Sequence, residues 1–248
     1  MFKKINLVLF AIILLSINIF FLTSCGSQDE VIKDGVMYQK ARKTVDGITV
    51  ECYYAYGCSD DIAILQIAEK INGLSVLGIK DEAFKNKTNL KEVVLPNSIT
   101  SISLFTSYFL GCTNIEKLTL ATDDVLNLFS DYGSANEKNT EPLPKSLKKI
   151  YLTSGCEKIS ARSFRYCKYL EELHIPSTVI KIEDGTCGTT IGVNGNLPND
   201  DKFNDLPFLA CENLTIFCEN STKPSGWDSY WNYINESTQL AVIWGNYN

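Results

Sequence analysis

Histidine is nearly missing from this 248-residue chain: His174 stands alone, and none of the nine cysteines are spaced as a CxxC pair. A structural zinc centre therefore lacks its usual ligand set, and histidine-based catalysis has one residue to work with. Blocks of Lys or Arg are absent too. With 23 basic against 29 acidic residues the formal charge is −6, which excludes a basic nucleic-acid footprint. After residue 22 no second hydrophobic run reaches membrane-spanning length. What the chain does hold is apolar: 45% of residues are hydrophobic and 21% charged. That is too apolar for disorder and suits one core or a short stack of repeats.

The first residues carry a separate pattern. Lys3 and Lys4 precede an almost unbroken apolar run from Ile5 to Leu22, closed by Leu22-Thr23-Ser24-Cys25. A basic start, an apolar stretch and small residues read as a signal peptide over residues 1–24. The tetrapeptide resembles the bacterial lipobox, which implies that Cys25 carries a diacylglycerol and becomes the first residue after cleavage. At about 0.8 kcal/mol per buried methylene, two or three acyl chains would hold the protein on a bilayer. An uncleaved transmembrane anchor is the alternative; both readings export the remainder and attach it to a membrane. Residues 25–34 read as the lipidated cysteine and a polar tether.

Beyond residue 60 the sequence repeats itself. One frame recurs: an aliphatic residue, then apolar residues three, five, nine and twelve positions later. It reads Leu90, Val93, Leu95, Ile99, Ile102, then Leu147, Ile150, Leu152, Cys156, Ile159, then Leu170, Leu173, Ile175, Val179, Ile182. A random register fills five such positions about 2% of the time, so three copies are not composition alone. Partial copies begin at Ile62 and Ile115. Upstream, an aromatic and a cysteine sit six and three residues before the leading aliphatic, as in Phe109-Cys112-Ile115, Phe164-Cys167-Leu170 and Phe208-Cys211-Leu214; Phe84-Lys87-Leu90 has Lys for Cys. Positions +3 and +5 share one strand face, and the aromatic-cysteine spacing places its side chains on one side of a short helical or 3-10 turn. Each unit thus has two apolar faces that only stacking covers. Units start at residues 62, 90, 115, 147, 170 and 214, a basic period of about 23 with insertions.

The phrases Ile71-Asn72-Gly73, Ala83-Phe84-Lys85-Asn86-Lys87-Thr88-Asn89-Leu90, Val94-Leu95-Pro96-Asn97-Ser98-Ile99 and His174-Ile175-Pro176-Ser177-Thr178-Val179 resemble the bacterial BspA-like class of leucine-rich repeats. Asn213-Leu214-Thr215-Ile216-Phe217-Cys218-Glu219, Lys223-Pro224-Ser225-Gly226-Trp227 and Val242-Ile243-Trp244-Gly245 resemble its terminal unit and cap. The resemblance implies a curved α/β solenoid on a secreted or surface protein, with a parallel strand wall, short helical or 3-10 turns opposite, and caps at both ends. The expected layout is an N-terminal cap over 35–61 with Ile48, Val50 and Tyr54 on a strand, repeats over 62–222, and an aromatic cap over 223–248. Glu141 and Pro144 depart from the family pattern where Phe and Cys belong. The polar stretches 121–146 and 184–206 read as loops inserted between units, a usual place for recognition.

Cys112, Cys167 and Cys211 read as small buried hydrophobes of the turn, and Cys156 as core. Cys52 and Cys58 could close a small disulfide loop or remain thiols. A Cys167–His174 pair has poor geometry, because the turn points inward and His174 outward. Trp227, Tyr230, Trp231, Tyr233 and Trp244 read as an end shield rather than a sugar platform.

With +3 and +5 inside, alternation places Ile64, Glu92, Lys117, Lys149 and Glu172 in one outward row and Gln66, Val94, Thr119, Tyr151 and His174 in another. Lys117, Thr119, Lys149, Tyr151, Glu172 and His174 are the candidate contacts, an aromatic anchor among charges. The expectation is a monomeric, non-enzymatic surface lipoprotein without cofactor or metal that binds a protein or glycan on a host or neighbouring cell. A substrate-capturing lipoprotein of a transport or enzyme complex, and a structural envelope protein, are the alternatives.

Overall fold

The computed structural model describes residues 29–99, 108–121, 144–161, 163–164, 167–183 and 206–246. The signal segment, Cys25, Ile102 and most of both insertions lie outside them. The N-terminal region is built on hairpins. Asp34-Gly35, Asp46-Gly47 and Asn72-Gly73 all have positive φ, between 49° and 82°, the backbone of two-residue turns whose twist matches flanking antiparallel strands. Accordingly β1 (Glu30–Lys33) pairs with β2 (Val36–Val45), and β2 with β3 (Ile48–Cys58), both antiparallel. After β4 (Ile64–Gln66), β5 (Lys70–Ile71) turns back on β6 (Leu74–Ile79), which runs parallel to β3.

Two expectations are corrected here. Residues 30–33, assigned to the tether, form a paired strand. Cys52 and Cys58 are both buried thiols on one strand, separated by about 20 Å at the usual rise, so no disulfide can join them. Val36, Tyr38, Tyr53 and Ala55 close this end of the core, and the Tyr38 hydroxyl accepts a 2.9 Å hydrogen bond from the Ala68 amide.

The repeats form one parallel sheet. Its strands follow chain order: β4, β7 (Glu92–Val94), β8 (Lys117–Leu120), β9 (Lys149–Leu152), β11 (Glu172–Ile175), β13 (Thr215–Cys218) and β14 (Ala241–Trp244). Leu65, Val93, Leu118, Ile150, Leu173 and Ile216 stand in register as one inward row and are buried. Short strands β10 (Lys158–Ile159) and β12 (Lys181–Ile182) make a second parallel ladder, filled by the +12 isoleucines.

Opposite the wall the expected short turns are present as tight hydrogen-bonded turns, and helical backbone among the described residues is confined to Tyr108. Cys112, Cys167 and Cys211 amides bond the carbonyls of Phe109, Phe164 and Phe208 at 3.0 to 3.1 Å. A helix with side chains is about 10 Å wide, whereas strands stack about 4.8 Å apart; turns match that pitch. Phe84 stacks on Phe109 and Phe164 on Phe208, with centroids 5.2 and 5.5 Å apart. Cys112 and Cys211 are more than small hydrophobes: each thiol donates, at 2.9 Å, to the Phe84 or Phe164 carbonyl of the preceding unit. Lys87, in cysteine's place, instead donates to the Cys58 carbonyl at 2.9 Å. Asn89, Asn114 and Asn213 donate to the carbonyls of Asp60, Thr88 and Lys168, so in the units led by Leu90, Ile115 and Leu214 the leading residue is preceded by an amide that latches it to an earlier turn.

The last units are closed by aromatics. Trp227 bridges to Ile182 in parallel register and its indole nitrogen donates to the Val179 carbonyl at 2.9 Å. Trp231 meets it edge-on at 4.6 Å. The chain passes so close to its neighbour at Gly226 that a Cβ there would lie 2.3 Å from the Ile180 carbonyl oxygen. No rotamer relieves a clash with backbone. Gly226→Ala is therefore expected to destabilise by about 1–3 kcal/mol, read as a lower midpoint in thermal denaturation.

Candidate partner-binding wall

Because each strand alternates, the wall's outward face follows from the register. One row runs Ile64, Glu92, Lys117, Lys149, Glu172, Thr215, Ala241; the other runs Gln66, Val94, Thr119, Tyr151, His174, Phe217, Ile243. All six candidate contacts lie in these rows on adjacent strands β8, β9 and β11. The charged row is internally paired: Lys117 reaches Glu92 at 3.0 Å and Lys149 reaches Glu172 at 2.8 Å. Lys117 also sits 4.7 Å above the Tyr151 ring, an attraction to its negative face.

The second row becomes aromatic at its centre. Tyr151 and His174 stack at 3.8 Å with a 10° tilt, and His174 and Phe217 at 4.6 Å with a 6° tilt. His174 faces outward as alternation requires, yet it is 2% exposed. This corrects the expectation of an accessible histidine: parallel in-register strands place neighbours at ring-stacking distance, so Tyr151 and Phe217 cover both imidazole faces. Its Nε2 lies 3.4 Å from Glu172 Oε2. Cys167 meanwhile packs in the turn stack beside Cys211, so the two groups of the weighed Cys–His pair serve different layers. Thr119 is half-buried and completes the row beside Tyr151.

Phe217 and Ile243, the latter 41% exposed, were not anticipated. After Leu214 the strand starts one residue earlier than in other units, since Thr215 pairs with Glu172. In the uniform frame Phe217 falls inward; a one-residue shift turns it outward. The in-register apolar pattern Ile216 and Cys218 was the available signal. At the wall's N-terminal end an open cleft of about 460 Å³ is lined by Lys33, Asp34, Gln66, Glu69, Lys70 and Pro96 among others. Among the described residues no group of three or more His, Cys, Asp or Glu is placed to hold a metal.

The hydrogen bond from Lys149 holds the Glu172 carboxyl below its ordinary range, against a smaller opposing effect of burial, with a further contribution from His174. A carboxylate with a depressed folded pKa stabilises above its unfolded pKa and loses that contribution as pH falls through the folded one. Glu172→Gln should therefore lower the midpoint at neutral pH, and the gap should close well below about pH 4, checked by thermal melts of both chains across pH.

A sheet of stacked parallel strands, each returned by a tight turn and offering one continuous outward face, defines a leucine-rich-repeat solenoid. The profile of the BspA type Leucine rich repeat region matches residues 52–139 and 143–223 in six copies, and the chain belongs to that family. Among solved structures it is similar to a leucine-rich repeat protein from Bacteroides ovatus, at 17% identity over 78% of this chain and 48% of that one, TM-score 0.37. It is also similar to a leucine rich cell surface protein from Faecalibacterium prausnitzii, at 18% identity over 86% of this chain and 44% of that one, TM-score 0.33. The chain spans less than half the length of each. No curated protein matches it.

Proposed function

We propose that this chain is a non-enzymatic cell-surface lipoprotein, anchored through Cys25, that acts as a monomer and binds a protein or glycan on a host or neighbouring cell through its strand wall. The observation that carries the reading is the outward row Tyr151, His174, Phe217, held rigid by mutual stacking and flanked by the Lys149–Glu172 pair. Rigid aromatic groups beside charges lose little entropy on contact and supply most of the energy at protein interfaces. The lipobox-like Leu22-Thr23-Ser24-Cys25 and the surface description of the Faecalibacterium protein support the location. The test is a titration of intact host or neighbouring cells with fluorescently labelled full chain. Saturable binding to a surface macromolecule is expected. Binding of small solutes alone would favour substrate capture, and no binding would favour a structural envelope role.

A further inference from the structure

The turns that close the repeats stack in register, and at one place this brings two cysteines of neighbouring units together. Cys167 and Cys211 occupy the same position in the units beginning at Leu170 and Leu214, whose strands β11 and β13 pair directly. The flanking Phe164 and Phe208 rings are 5.5 Å apart and nearly parallel, and the Cys211 thiol donates at 2.9 Å to the Phe164 carbonyl, which also accepts the Cys167 amide at 3.1 Å. Equivalent positions of adjacent coils are thus separated by about the Cα distance that a disulfide spans, roughly 4.4–6.8 Å. Elsewhere the column is interrupted: Lys87 precedes Cys112, and Pro144 lies between Cys112 and Cys167.

We propose that Cys167 and Cys211 are a disulfide-forming pair, oxidised by a small-molecule or protein disulfide when the chain folds in an oxidising compartment. The step balances as thiol–disulfide exchange. One cysteine thiolate attacks the oxidant disulfide and releases one thiol; the second attacks the mixed disulfide, forms the Cys167–Cys211 bond and releases the other thiol. The oxidant takes both electrons, and the two thiol protons end on its released sulfurs. The bond ties the turn that precedes β11 to the turn that precedes β13. Cys167 and Cys211 are 2% and 0% exposed, and burial drives the Cys167 thiol well above its ordinary range. Thiolate is the reactive form, so exchange is slow once the turns have closed and the bond forms during folding. The inference is independent of what the wall binds.

The test refolds the full chain in glutathione redox buffer, blocks remaining thiols with N-ethylmaleimide under denaturing conditions, and maps peptides without reduction. A Cys167–Cys211 linked peptide is expected, with a thermal midpoint raised by roughly 5–10 °C over the reduced chain and both signals lost in Cys211→Ser. Recovery of both cysteines as alkylated peptides overturns the proposal, as does linkage of either to another cysteine. A linked chain without the upward shift overturns the claim that the native turns accept the bond.

Discussion

Trp227→Ala should lower the thermal midpoint by roughly 10 °C, because a buried tryptophan replaced by alanine costs about 3–5 kcal/mol. Three contacts disappear together. Trp227 is 2% exposed, continues the ladder begun by Ile159 and Ile182, and satisfies the Val179 carbonyl. Its ring also supports Trp231 and Trp244, at 4.6 and 5.9 Å. In a stack of repeats each unit is held by its neighbours, so damage at the last full unit propagates inward. Trp227→Phe keeps most of the packing but leaves the Val179 carbonyl without its donor. It should fall between wild type and alanine in a denaturation series, and equal stability of all three chains would contradict the assignment of this residue as the end closure.

Binding should respond most to the aromatic row. Replacing Tyr151 and Phe217 together by alanine is expected to weaken partner affinity by about 30-fold or more, the effect of losing roughly 2 kcal/mol at an interface centre. Both residues are half-buried, and both shield His174, so the double variant loses preorganisation as well as contact. His174 itself is a poor site for the test, because alanine there leaves a gap between two rings and disturbs stability. Equilibrium binding to cells that saturate with the wild-type chain measures the effect. Unchanged affinity in a folded variant would move the contact to residues 121–146 or 184–206.

Much of this architecture was readable from side-chain spacing alone. The frame at Leu90, Leu147 and Leu170 identified the inward rows because burial on a strand repeats every second residue, and the structure buries every described member of those three copies. The turn was legible as an aromatic-cysteine pattern, though its hydrogen-bonded form was not: spacing of three suits both a helix and a turn, and only the pitch of the stack decides. Asp34-Gly35, Asp46-Gly47 and Asn72-Gly73 were readable hairpin signals that went unused, the last because it also belongs to a repeat phrase. The six candidate residues shared a face as expected, since alternation decides direction. Accessibility did not follow, because what covers His174 comes from two other strands, and the register of β13 rests on one missing residue after Leu214.

The solitary histidine offers a direct measurement of the wall. With one imidazole in the chain, its carbon-bound ring protons give one assignable pair of NMR signals. Rings stacked at 3.8 and 4.6 Å on either side should displace those signals strongly upfield, and Tyr151→Leu or Phe217→Leu should each return them part of the way. Signals at the position of an unstructured histidine, unmoved by either substitution, would contradict the in-register parallel wall.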